Sequence, residues 1–376
     1  TRAFLLASAA LALFAPARAH AQQPKQKVVL EYDDQERLAR RKTDTNGDGN
    51  FDETVFYKND VSERAESDTN YDGRLDLWVT FDVSGKPIAQ ERDTNFDGKR
   101  DQWIQLENDQ PKVQRDDKNG DGEPESVVWF EGGVRTRSEE DSNGDGRIDR
   151  WVAYQDGKPA RVEEDGNADG KVDVRGEFNP DGSKSVEVQD TDSDGRFDVT
   201  IRYEKGVKAR VEEDTNGDGQ ADVITSYEAE QISRREADTD SNGSFDTVSS
   251  FKSGKEARQT RDLDGDGKPE LVASFDANGE KVREEIFAAG SDRPQAVRVF
   301  QAGVKLSEEQ DSDGDGTLDL ATEYAGEQPT KSVADTNRDG KPDTTIEFVD
   351  GRKLRQAEDR DGDGDVDFQD LMQAGG

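Results

Sequence analysis

The chain has 376 residues, 30% of them apolar and 37% charged, with a formal net charge of −36 and no cysteine. That acid excess argues against nucleic acid as a partner, and the missing thiols leave neither a disulfide framework nor a lipid-anchored cysteine. The mean hydropathy of −1.07 alone would read as disorder, but a disordered acidic tail has no reason to keep its carboxylates in register, and these do.

The first predicted element is the apolar run FLLASAALALFA at 4–15, preceded by Arg2 and followed by Ala19-His20-Ala21. We expect residues 1–21 to be a signal peptide whose first residues are missing, since the chain starts at Thr1 without a Met. The run is too short to span a bilayer. Export to the extracellular space, cell surface or periplasm is therefore expected, and cleavage would remove Arg2, Arg18 and the only histidine, His20. Residues 22–43 read as a linker and a capping hairpin, with VVLEYDDQERLARRKT at 28–43 alternating like the hairpins that follow.

From Asp44 to Asp367 a variant of D-x-[ND]-x-[DN]-G-x-x-[DE] recurs thirteen times at steps of 24 or 25 residues. One double step, from Asp262 to Asp311, spans a degenerate slot at 286–310. A fixed period of this length marks a repeat array, read here over 44–358 with a terminal copy at 359–376. Positions 1, 3, 5 and 9 of each loop are the candidate metal ligands. They are Asp44, Asn46, Asp48 and Asp52; Asp68, Asn70, Asp72 and Asp76; Asp93, Asn95, Asp97 and Asp101; Asp117, Asn119, Asp121 and Glu125. The middle copies supply Asp141, Asn143, Asp145 and Asp149; Asp165, Asn167, Asp169 and Asp173; Asp190, Asp192, Asp194 and Asp198; Asp214, Asn216, Asp218 and Asp222; Asp238, Asp240, Asn242 and Asp246. The last four supply Asp262, Asp264, Asp266 and Glu270; Asp311, Asp313, Asp315 and Asp319; Asp335, Asn337, Asp339 and Asp343; Asp359, Asp361, Asp363 and Asp367, joined by Asp370 at position 12.

Between loops the pattern switches to a β-rich stretch, a Gly turn such as DGKP at 156–159, and a second extended stretch that delivers the next Asp. Position 14 is aromatic in twelve of thirteen units, from Tyr57 to Phe348, and Phe300 keeps the place in the degenerate slot. Position 12, on the same strand face, is usually β-branched, as at Val55, Ile104, Val152 and Ile201. We expect an all-β, elongated array of loop-plus-hairpin units forming a single-layer twisted sheet or solenoid. Fourteen hairpins would also suit a seven-bladed β-propeller, but inner and outer hairpins do not alternate. A basic residue recurs four places before the loop Asp (Arg40, Arg64, Arg137, Arg161, Arg210, Arg234, Arg258, Arg355, with Lys331). It either screens loop carboxylates or belongs to a solvated strand face.

Calcium takes six to eight oxygens at about 2.3–2.6 Å, which a short loop supplies only by alternating carboxylates and turning sharply. Carboxylates or amides at 1, 3 and 5, Gly at 6, the carbonyl of 7 and the acid at 9 meet that need. Turn chemistry alone explains Asp, Asn and Gly but not an acid at position 9, where a strand is starting. We expect Ca2+, up to about one per repeat. The loops resemble those of EF-hands and, more closely, of thrombospondin type 3 repeats and related bacterial arrays, over about nine residues in each unit. The resemblance implies calcium in the loops and says nothing of the hairpins. It departs at position 12, which in an EF-hand is a bidentate acid and here is Val55, Ile104, Thr225 or Ile346. It departs again because thrombospondin type 3 repeats carry disulfides. The missing ligands are expected from water, carbonyls or an acid just before the loop, such as Asp116, Glu140, Glu164 or Glu213. The last copy, DRDGDGDVDFQDLMQ at 359–373, continues into a helix-compatible stretch and resembles one half of a dockerin; we read it as a calcium loop with a C-terminal cap.

The expected role is structural or cell-surface interaction, with calcium ordering the fold and a surface protein or polysaccharide as partner. The alternatives are an adhesion or glycan-binding module using the face of Trp78, Trp103 and Trp151, joined by Trp129, or a dockerin-like attachment through 359–373. Catalysis is not expected: outside the leader there is no histidine, and no cysteine at all, for nucleophile or metallohydrolase chemistry.

Overall fold

The computed structural model describes residues 27–371, so the expected signal peptide (1–21) and residues 372–376 lie outside the described residues. Among the described residues the regular structure is entirely β. Contacts divide the chain into two units, Thr1–Ile148 and Asp149–Gly376. The first holds ten strands, from β1 (Lys27–Tyr32) to β10 (Val134–Glu140), and the second nineteen, from β11 (Arg150–Gln155) to β29 (Phe368–Leu371).

Within each unit every strand pairs antiparallel with the strands before and after it in sequence, and the ladder crosses every loop. In the first unit β2 (Leu38–Asp44) pairs with β3 (Glu53–Lys58) through Arg41 and Val55, and β3 with β4 (Val61–Ser67) through Val55 and Ala65. The result is an open repeat sheet, as expected. Propeller blades would interrupt the ladder after every few strands, so the propeller alternative is not what either unit forms.

Two kinds of connection alternate. Two-residue turns such as Asn59-Asp60, with φ of 51° and 61°, close hairpins by the left-handed geometry that suits strand twist. The acidic loops close the other end. In every hairpin a register shift falls immediately before the position-14 residue, for example between Phe56 and Tyr57 and between Arg202 and Tyr203. These bulges sharpen the local twist, and period-2 alternation gave no sign of them.

The core is a row rather than a layer. In the first unit, cross-strand neighbours run Val55, Ala65, Val79, Gln90, Ile104, Gln114, Val128 and Ser138. Val55, Ala65, Ile104, Val128 and Ser138 in this row are buried. The position-14 aromatics beside it are only half-buried. In the second unit the row begins with Val152 and Val162 and turns polar further on. Glu284, Arg298 and Glu308 are consecutive members on β22 (Lys281–Phe287), β23 (Pro294–Gln301) and β24 (Val304–Gln310). Arg298 Nε meets Glu308 at 2.7 Å, Arg298 Nη1 meets Glu284 at 3.1 Å, and Lys305 Nζ meets Glu308 at 2.9 Å. Burial raises the Glu308 carboxyl, but the donors from Lys305 and Arg298 prevail and hold it at about 2.

Candidate metal centres

Because strands alternate in direction and follow one another in order, hairpin turns fall along one edge of each unit's sheet and acidic loops along the other. Neighbouring loops are two strands, or about 10 Å, apart. Main-chain bonds fix each loop's mouth: Asp68 N donates to Asp52 O at 2.7 Å, and Asp52 N to Thr43 O at 3.0 Å. The same pair of bonds recurs along the array, as at Asp238 and Asp222.

Inside the loop, short side chains and amides wind around a centre. Asp44 Oδ1 accepts Gly47 N at 2.6 Å and Oδ2 accepts Gly49 N at 2.9 Å. Asn46 Oδ1 accepts Asp48 N at 2.8 Å, and Asp48 Oδ1 accepts Asn50 N at 2.7 Å. Glycine at position 6 has φ between 85° (Gly340) and 102° (Gly49). Position 4 is left-handed too, at 58° to 82°, but there Tyr71, Phe96, Ala168 and Arg338 are accommodated. The deeper left-handed angle explains why glycine is constant at 6 and optional at 4.

The position-9 acid has a role that spacing did not show. Asp52 Oδ2 accepts Thr45 N at 2.7 Å, Thr45 Oγ1 at 2.8 Å and Asn46 N at 3.3 Å, so it braces the loop's opening turn. Asp222 repeats this with Thr215, whose hydroxyl lowers its pKa. At Asp311 burial pushes the pKa up, yet the amides of Gly316, Gly314 and Asp315 outweigh it and the carboxyl stays low. At Asp311, backbone amides thus favour the charged carboxylate over the burial that opposes it.

Carboxylate oxygens converge to within 4.8 Å of one another in seven groups among the described residues, including Asp117, Asp121 and Glu125; Asp165, Asp169 and Asp173; and Asp262, Asp264, Asp266 and Glu270. Such groups could hold metal ions. Two buried carboxylate oxygens, Asp190 Oδ1 and Glu270 Oε1, have no hydrogen-bond partner, and both residues belong to these groups. An all-oxygen set fits a hard cation better than a thiophilic one.

Other candidate ligands lie elsewhere. Asp116 is engaged by Gln102 and Gln114, and Glu164 by Arg150 at 3.0 Å. Asp370, on β29, is the last member of the core row, opposite Gln356 of the preceding strand, so a strand stands where the C-terminal pattern is helix-compatible. Five of the recurrent arginines pair along their own strands, Arg64 with Glu66, Arg137 with Glu139, Arg161 with Glu163, Arg210 with Glu212 and Arg234 with Glu236, and Arg40 pairs across to Glu31, so these six belong to a strand face rather than to the loops. On that face guanidinium groups cover one side of two indoles, Arg100 at 4.3 Å from the Trp78 ring centre and Arg137 at 3.9 Å from that of Trp129.

No family model matches the chain, and no curated protein does. Among solved structures it is similar to the crystal structure of TcdB2-TccC3-Cdc42, at 11% identity over 88% of this chain and 23% of that one, with a TM-score of 0.18. It is also similar to the crystal structure of TcdB2-TccC3, at 15% identity over 89% and 24%, with a TM-score of 0.15. The chain spans about a quarter of the length of those proteins, and at such scores the likeness carries no argument about fold or function.

Proposed function

We propose that the chain is an exported calcium-binding repeat protein in which Ca2+, up to about one per repeat, orders the array, and that its role is structural or one of cell-surface interaction. The observation that carries this reading is the convergence of carboxylate oxygens inside loops whose amides wind around a centre. Calcium supplies charge neutralisation and oxygen coordination there. Positions 1, 3, 5 and 9 would hold it, the backbone closing the site. The array is strongly acidic, and bound divalent cations would offset much of its self-repulsion. A surface protein or a polysaccharide is the partner class proposed.

Calcium titration of the chelated chain by calorimetry, with stoichiometry, tests this. Uptake approaching one ion per loop, with gain of strand circular dichroism, is the expected result; no uptake at millimolar calcium overturns it.

A further inference from the structure

Resting on the calcium reading, we propose that the loops are not equivalent, and that 190–198 and 262–270 take the ion first and hold it tightest. In an ordinary loop the chain satisfies its own carboxylates. Asp214 Oδ1 and Oδ2 each accept an amide, from Gly217 and Gly219, both at 2.8 Å, while Asp222 accepts the amide and hydroxyl of Thr215. A cation entering there adds to groups that already have donors.

Loop 190–198 departs at position 1. Asp190 is 7% exposed, and its Oδ2 accepts Gly195 N at 2.7 Å, but its Oδ1 has no donor. Its carboxylate converges with those of Asp192 and Asp194. Loop 262–270 departs at positions 2 and 9. Leu263 stands where most loops have a hydroxyl, so nothing but its amide, at 2.6 Å, meets Glu270 Oε2, and Oε1 is buried without a partner. Glutamate is one methylene longer than the usual aspartate, and Glu270 joins Asp262, Asp264 and Asp266 in a group of four carboxylates. A buried carboxylate oxygen without a donor penalises the ion-free chain. A cation at the loop's centre removes that penalty, so these two loops gain more from binding than the satisfied ones.

The test is calorimetric titration of the full chain with calcium after chelation. Wild type is expected to take two ions at least tenfold more tightly than the rest. Asp190→Asn and Glu270→Gln should each leave one tight ion. Glu270→Asp keeps the charge and should also lose its tight ion, because the shorter acid returns to the bracing position. Asp214→Asn should lose a weak ion and keep both tight ones. Far-ultraviolet circular dichroism at saturating calcium reports whether each variant is folded, and Glu270→Asp or Asp190→Ser replaces any variant that is not. Wild type titrating as one class, or Asp214→Asn removing a tight ion as Glu270→Gln does, overturns the ranking. A wild-type chain that takes up no calcium overturns the calcium reading itself, and the ranking with it.

Discussion

Loop 262–270 and the degenerate slot beside it follow the same path through the sheet with different chemistry. Asp262 N donates to Asp246 O, and Phe287 N, at the equivalent point, to Glu270 O, both at 2.8 Å; Asp311 N closes the slot on Gln295 O at 2.9 Å. Within the slot no carboxylate winds the chain. Ser291 N reaches Ala288 O at 3.0 Å, its hydroxyl donates to Arg293 O, and Phe287 pairs with Pro294, so the ladder extends into what is elsewhere loop. The chain therefore makes this connection without a single position-1, 3 or 5 acid. The acids in the other loops are not needed for the turn, which supports a separate purpose for them.

The core changes at the same place. Where Ile201 and Val211 fill the row elsewhere in this unit, Arg298 and Glu308 fill it beside the slot, with Glu284 next to them. The one repeat without a carboxylate loop, 286–310, adjoins an internal ion cluster built from side chains alone. Chelation is the largest test of that contrast. Excess chelator should loosen the loops and expose strand amides along the array, while hydrogen exchange in β22 to β24 stays slowest; uniform exchange in chelator would break the comparison.

The next effect in size comes from the cluster itself. Glu308 is the buried acceptor for two partly exposed cations, of which Arg298 keeps Glu284 when Glu308 is lost, and Glu308→Ala should cost about 1.5–3 kcal/mol in calcium at pH 7, the range for hydrogen bonds to charged groups, read by urea unfolding. The folded pKa of Glu308 is depressed to about 2 from 4.5. Its contribution is therefore complete above the unfolded value and lost as pH falls from about 4.5 towards about 2. Carboxylates elsewhere in the chain are common to wild type and Glu308→Gln and cancel in the comparison. The difference in stability between wild type and Glu308→Gln should shrink across that window, and a constant difference would show that the cluster does not depend on the charge of Glu308.

Loops and hairpins were legible because their signals are local: Asx chemistry and a left-handed glycine in nine residues, then alternation over six. The core row was half legible. Val55 and Ile104 advertise it, but Glu284, Arg298 and Glu308 read as surface charges, since only cross-strand register places them side by side. Most of the recurrent arginines have a glutamate two residues on, on the same strand face, and meet it before any loop acid, a local signal that the sequence does carry. Phe368 to Leu371 are too few to favour helix or strand by pattern, and pairing with β28 (Arg352–Glu358) settles them as a strand. The bracing role of the position-9 acid was hidden because a ligand and a brace ask for the same residue at the same spacing.

The smallest effect separates winding from turning. Each complete loop has two left-handed residues, at positions 4 and 6, whereas the slot keeps the first, Gly290 with φ of 70°, and lacks the second, its position 6 being Asp292. If the second is what wraps the chain around an ion, alanine should be felt differently at the two sites. Gly267→Ala meets no atom within 4 Å, so its cost is purely the φ of 87° imposed on a side chain, about 1–2 kcal/mol, with weakened calcium at that loop. Gly290→Ala sits at an angle close to those Tyr71 and Ala168 adopt, with Asp266 Oδ2 at 3.4 Å, and should cost about 1 kcal/mol while leaving calcium stoichiometry untouched. Thermal melts of both variants in calcium and in chelator measure this. Equal losses in calcium, or a Gly267→Ala penalty that persists undiminished in chelator, would mean that position 6 serves the turn alone.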